Sequence, residues 1–113
     1  MGEVREIRGL YKMPGLTPWE VKIPDTLAQY QHAVEGYFQA VWLHDGIVAL
    51  VNEEGIIRNL EPNINTGIHI FFGNVLFVAD KGDEKFHSLT DEQLEEINRC
   101  FNEEWLCYPE GGE

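Results

Sequence analysis

Tyr37-Phe38-Gln39-Ala40-Val41-Trp42-Leu43-His44-Asp45-Gly46-Ile47-Val48-Ala49-Leu50-Val51 places two runs of β-branched, aromatic and aliphatic residues on either side of an Asp-Gly pair. Such residues fit a pleated, partly buried surface, and Asp-Gly accepts the positive φ angles that a tight chain reversal needs. The stretch predicts an antiparallel hairpin. Asn52-Glu53-Glu54-Gly55 is a second turn signal, and Ile56-Ile57-Arg58 after it predicts a third strand that completes a meander.

Upstream, Val4 to Met13 partly alternates and ends at Pro14-Gly15, which predicts a strand and then a loop. Trp19-Glu20-Val21-Lys22-Ile23 alternates apolar and charged residues and stops at Pro24, the pattern of a half-buried edge or early strand. Asp25 can cap a helix whose apolar residues Leu27, Tyr30, Ala33 and Val34 follow at helical spacing, and Gly36 suits the left-handed residue that ends it. A short helix is expected near 26–35. Downstream of the hairpin, Asn59 to Gly67 holds Pro62 and three Asn and reads as a loop, where sites often sit. Ile68–Phe72 and Val75–Ala79 flank Gly73-Asn74, which fits either one strand buried on both faces or a hairpin turning at that dipeptide.

Thr90-Asp91-Glu92-Gln93 matches a capping box, in which the Thr hydroxyl and the Gln amide satisfy two otherwise orphaned N–H groups, and Leu89 can staple onto Leu94. Leu94, Ile97, Phe101 and Trp105 then recur every three or four residues, with glutamates between them, which predicts an amphipathic helix near 90–106. The expected fold is α+β: a mainly antiparallel sheet of five to six strands, with the short helix near 26–35 and the amphipathic helix packed on one face. A single domain over 1–108 and a flexible tail over 109–113 are expected, since 113 residues suffice for one core.

Twenty acidic residues oppose eight basic ones, for a formal net charge of −12, and eleven of the acidic and three of the basic residues fall from Asp80 onward. Such a field repels nucleic acid and anionic membrane, because phosphate binding requires Lys and Arg that displace counterions. No apolar run approaches the ~20 residues that cross a bilayer, and the N-terminus is charged, so the expected location is the cytoplasm. Cys100 and Cys107, seven residues apart on one predicted helix, would lie ~10 Å apart and could not bridge. Two buried or half-buried thiols in a reducing compartment are expected.

Signals for chemistry are sparse. His32, His44, His69 and His87 are scattered without zinc-ligand spacing, the cysteines lack a CxxC partner, and neither a metal nor a cofactor is expected. A pairing of Cys100 with one of these histidines could make a nucleophile and its base, but a mid-helix cysteine ordinarily lacks the electropositive setting that activates it. Glu53 and Glu54 are adjacent in a turn, where carboxylates are normally solvated, and Gly-rich phosphate-binding signatures are missing. Enzymatic activity is therefore not expected.

Several segments carry a family resemblance: Val34-Glu35-Gly36-Tyr37-Phe38-Gln39-Ala40-Val41, Val48-Ala49-Leu50-Val51-Asn52-Glu53-Glu54-Gly55 and Leu60-Glu61-Pro62-Asn63. Gly73-Asn74-Val75-Leu76-Phe77-Val78-Ala79 and Phe86-His87-Ser88-Leu89-Thr90-Asp91-Glu92-Gln93 continue it. In order and spacing they resemble the family called domain of unknown function 3846, small proteins of phages, plasmids and conjugative elements. The resemblance implies a mobile-element setting and no particular reaction. Relatives often carry Arg directly after the Pro-Asn pair, where this chain has Ile64, and a ligand held by that Arg would be lost here.

From that setting and the charge, the expected function is that of a small acidic accessory protein that binds a host protein without catalysis. Blunting a host defence, or imitating DNA phosphates through Glu92, Glu95, Glu96, Glu103 and Glu104 on the helix, would be a form of this function. The alternative is a nucleotide-binding or sequestering protein, with Tyr37, Trp42, Arg58, Asn63 and Asn65 as candidate contacts beside Tyr11 and Trp19. An enzyme with an unfamiliar motif is the third reading, and a homodimer is left open.

Overall fold

The computed structural model describes residues 4–108. Its elements are β1 (Glu6–Lys12), β2 (Trp19–Pro24), α1 (Leu27–Val34), β3 (Phe38–Trp42), β4 (Ile47–Asn52), β5 (Pro62–Asn65), β6 (Ile70–Phe72), β7 (Val75–Asp80), β8 (Phe86–His87), α2 (Asp91–Glu103) and β9 (Leu106–Cys107). The main sheet is antiparallel throughout in the order β2-β1-β7-β4-β3, with β8 beside the end of β7, and a small sheet has the order β6-β5-β9. The α+β class, the five to six antiparallel strands and the two helices are as expected from sequence.

Strands β4 and β7 are almost wholly apolar because both of their faces are covered. Ile47, Ala49, Val51, Val75, Phe77 and Ala79 join a core with Leu94, Ile97 and Cys100 of α2 and with Ile64 and Phe71 of the small sheet. The alternate residues Val48, Leu50, Leu76 and Val78 join a second core with Tyr30 and Val34 of α1. A period of two thus sends neighbouring side chains to opposite cores, and the helices lie on opposite faces of the sheet.

The hairpin forms as its sequence predicts: β3 pairs with β4, and Asp45 and Gly46 reverse the chain at φ 57° and 73°. The capping box of α2 also forms, with Thr90 Oγ1 accepting from Gln93 N–H and Gln93 Oε1 accepting from Thr90 N–H. β2 is an edge strand, also as expected.

Other expectations are corrected. Ile56-Ile57-Arg58 forms no strand; Arg58 N–H donates to Glu54 O and Leu60 N–H to Gly55 O in a run of tight turns. The reason is topological, since the second side of β4 is taken by β7 and offers no place to a meander strand. Within the expected loop 59–67, Pro62–Asn65 is a strand, with proline at its first position. Segments 68–72 and 75–79 are neither one strand nor a hairpin. Gly73, at φ 84°, passes the chain from the small sheet into the main one.

The helix ends differ as well. Thr26, not Asp25, caps α1, because the Asp25 carboxylate is taken by Arg5 at 2.7 Å and by the Tyr30 hydroxyl. Glu35 rather than Gly36 adopts the left-handed residue, at φ 64°. Helix α2 ends at Glu103, short of the predicted 106: Trp105 turns back into the core, and Leu106-Cys107 pairs with β5. Cys100 and Cys107 therefore do not share a helix, although both thiols are free. The expected tail, 109–113, lies outside the described residues.

One polar contact ties the layers together. Lys12, only 2% exposed, donates from Nζ to Asn63 Oδ1 at 2.8 Å and to the Met13 carbonyl at 2.9 Å. Asn63 Nδ2 in turn donates to the carbonyls of Lys12 and Gly73. A buried ammonium is tolerated only when hydrogen-bonded, and its burial lowers the Lys12 pKa. Asn63→Leu removes one of the two acceptors of a buried charge, and urea unfolding should show a loss of about 2 kcal/mol or more; a loss under about 1 kcal/mol would mean that this contact does not tie the sheets.

Candidate functional site

The two edges of the main sheet are made of different residues. β2 carries Glu20, Lys22 and Pro24, the charges and missing N–H that protect an edge from further pairing. β3, at the other edge, reads Phe38-Gln39-Ala40-Val41-Trp42 and has neither a charge nor a proline. Leu43 N–H donates to Ile47 O, so by strand alternation the N–H groups of Phe38, Ala40 and Trp42 point away from β4. β6, Ile70-Phe71-Phe72, is likewise the uncharged edge of the small sheet.

A groove of about 740 Å³ lies between these edges, lined by residues 39–42, 51–57 and 69–72. Its third wall is the turn after β4, which is fixed from behind. Asn52 Nδ2 donates to the carbonyls of Val34 and Glu35, Asn52 Oδ1 accepts from Glu54 N–H, and Arg58 donates to the Glu35 carbonyl. Gly55 brings the turn against β6; a Cβ there would lie 3.1 Å from Phe72 O. The turn held in this way presents Ile56 and Ile57 outward, 74% and 84% exposed. Trp42, 60% exposed, is held at the rim by its Nε1–H bond to Asp80 Oδ2 at 2.8 Å. Apolar side chains on a well-held turn beside two open strand edges make a surface suited to a partner chain.

The candidate nucleotide contacts do not converge. Trp42 lines the groove, but Tyr37, Arg58, Asn63 and Asn65 do not. Asn63 is fully buried in the Lys12 contact, Arg58 caps α1, and Asn65 Oδ1 accepts from Gly67 N–H in a local turn. Tyr11 and Trp19 pack edge to face at 5.3 Å. A second cavity of about 690 Å³ between α1 and β2 is mainly apolar, and neither cavity is lined by Lys or Arg among the described residues. Ile64, directly after the Pro62-Asn63 pair, is fully buried between β6 and β9.

The five candidate glutamates, four in α2 and Glu104 at its C-cap, divide into two sets. Glu96, Glu103 and Glu104 gather around Arg99, and Glu96 Oε2 also meets His44 Nε2 at 2.6 Å; Arg99 first and His44 second hold the Glu96 carboxyl down at about 2. Glu92 and Glu95 are exposed and form no ion pair among the described residues. Sequence reasoning missed His44 as their neighbour, because it is 52 residues from Glu96 and no spacing rule spans a hairpin turn and a later helix. Burial, with Glu96 and Glu104 nearby, pushes the Cys100 thiol up to about 11, and burial also raises Cys107.

The site therefore defines an acidic α+β domain with an open-edged, apolar groove. The chain belongs to the family described as Domain of unknown function (DUF3846), whose profile matches residues 7–102, in agreement with the resemblance of its segments. No curated protein and no solved structure matches the chain.

A thiol with so high a pKa is a poor nucleophile at neutral pH. Iodoacetamide at pH 7.5 should leave Cys100 of the native protein unmodified while labelling it readily in urea, as read by peptide mass spectrometry. Rapid native labelling at Cys100 would show an activated thiolate.

Proposed function

We propose that this protein acts without catalysis, as a binding protein whose groove between β3 and β6 takes up an extended, basic segment of a partner protein. The observation that carries this reading is the contrast between the two edges of one sheet, β2 guarded by charge and proline and β3 bare beside exposed Ile56, Ile57 and Trp42. An incoming strand finds the outward-pointing N–H groups of Phe38, Ala40 and Trp42, unpaired among the described residues, for its carbonyls and a mainly apolar floor for alternate side chains. Glu53 and Glu54 line the groove, and the chain's charge of −12 favours Lys and Arg on the partner.

In the mobile-element setting that the family resemblance implies, the partner is a host protein, and the exposed Glu92 and Glu95 steer the encounter. A nucleotide ligand is less well supported, because the two cavities present no Lys or Arg to a phosphate among the described residues.

A displayed library of twelve-residue peptides tests the reading. Selected binders should alternate apolar with basic residues and shift the NMR amide signals of β3 and β6. Ala40→Pro, which removes an outward N–H without breaking the β3–β4 ladder, and Ile57→Asp should each weaken binding at least tenfold while the fold is kept. Binders that map to α2, or affinities unchanged in both variants, would contradict it.

A further inference from the structure

The His44-Asp45-Gly46 turn rests on α2. Gln93, the capping-box residue, donates from Nε2 to the Asp45 carbonyl at 2.8 Å. Gly46 allows this approach, since a Cβ there would lie 3.3 Å from Gln93 Nε2 and 3.0 Å from Asp80 O. Glu96 and Cys100 follow Gln93 at intervals of three and four, so all three occupy the side of the helix that meets the turn. His44 Nε2 lies 2.6 Å from Glu96 Oε2, Cys100 Sγ lies 3.7 Å from the same oxygen, and the three donor atoms are all within 4.8 Å of one another.

We propose that His44, Glu96 and Cys100 form a binding site for a divalent metal of the zinc class. Imidazole nitrogen, carboxylate oxygen and thiolate sulfur are the donors that zinc takes, whereas magnesium and calcium prefer oxygen alone. Tetrahedral bonds of ~2.0–2.3 Å hold such donors roughly 3.3–3.6 Å apart, so the His44–Glu96 contact must open by less than about 1 Å. Cys100 is fully buried at the base of the site and the His44 side chain is 47% exposed, which leaves the fourth coordination position on the solvent side. On coordination Cys100 releases its thiol proton to solvent, and neutral His44 binds through Nε2 with its proton on Nδ1.

Arg99 occupies part of this site: its NH2 donates to Glu96 Oε2 at 2.7 Å and lies 3.8 Å from Cys100 Sγ, so a metal must displace that nitrogen. Its Nε donates to Glu96 Oε1 at 2.9 Å, and its NH1 pairs with Glu104 at 2.7 Å. When a metal takes Glu96 Oε2, the guanidinium gives up that oxygen and keeps these two partners. Positioning is already supplied by the Gln93 bond and by the short β3–β4 turn, so binding requires little rearrangement of the backbone.

Cobalt(II) titrated into the metal-free full chain is the test, because a cobalt–thiolate bond gives a near-ultraviolet charge-transfer band. The expected result is that band together with visible bands of tetrahedral intensity, both removed by one equivalent of zinc(II). Cys107→Ser should keep the charge-transfer band, Cys100→Ser should lose it, and His44→Ala, a change at an exposed turn, should weaken cobalt binding at least tenfold with the circular dichroism unchanged. Absence of the band in the unaltered protein, its loss in Cys107→Ser, or an unchanged affinity in folded His44→Ala would overturn the proposal. The His44→Ala arm stands if Cys100→Ser does not fold.

Discussion

Burial of β4 and β7 on both faces is the constraint from which the other layers follow. Ile47 through Val51 and Val75 through Ala79 leave no side chain facing water, so each face of this central pair must be covered. On one face the cover is α1, through Tyr30 and Val34; on the other it is α2 together with the small sheet, through Ile97, Cys100, Ile64 and Phe71. β1 completes the middle of the sheet by close backbone approach at Gly9, where a Cβ would come within 2.7 Å of Phe77 O. With the centre occupied in this way, β2 and β3 are left as the edges, and their compositions acquire meaning.

The small sheet has a second consequence. It covers the α2-side core only if β5, the Gly73 crossing and β1 keep a fixed relation, and Asn63 supplies that relation through Lys12 and Gly73. The same placement sets β6 across from the free edge of β3, with the 53–59 turn between them. The groove is thus a by-product of how the second core is closed. The binding proposed there would add a strand to an existing edge without opening either core.

Legibility from sequence followed the range of the interactions involved. The β3–β4 hairpin, β2 and the capped start of α2 rest on neighbours within a few residues, and local pattern showed each of them. The turn signal at 52–55 holds, but Ile56 and Ile57 look like strand residues, and only the pairing of β4 with β7, some thirty positions on, denies them an edge. Strand β5 was hidden by Pro62 and its asparagines, which signal a loop unless one knows that Asn63 is spent on a buried lysine. Of the candidate contacts, Trp42 alone reaches the groove, while the bare composition of β3 was present in the sequence and gains significance only once β3 is seen to be an edge.

Native-state hydrogen exchange on the isolated protein, followed amide by amide, tests most directly whether the β3 edge is open beside a doubly covered centre. Amides of β4 and β7 should exchange only through global unfolding, whereas those of Phe38, Ala40 and Trp42 should exchange orders of magnitude faster than Val41 on the same strand and Leu43 just after it. Equal protection of all five β3-side amides would contradict an open edge and would mean that another surface already covers it.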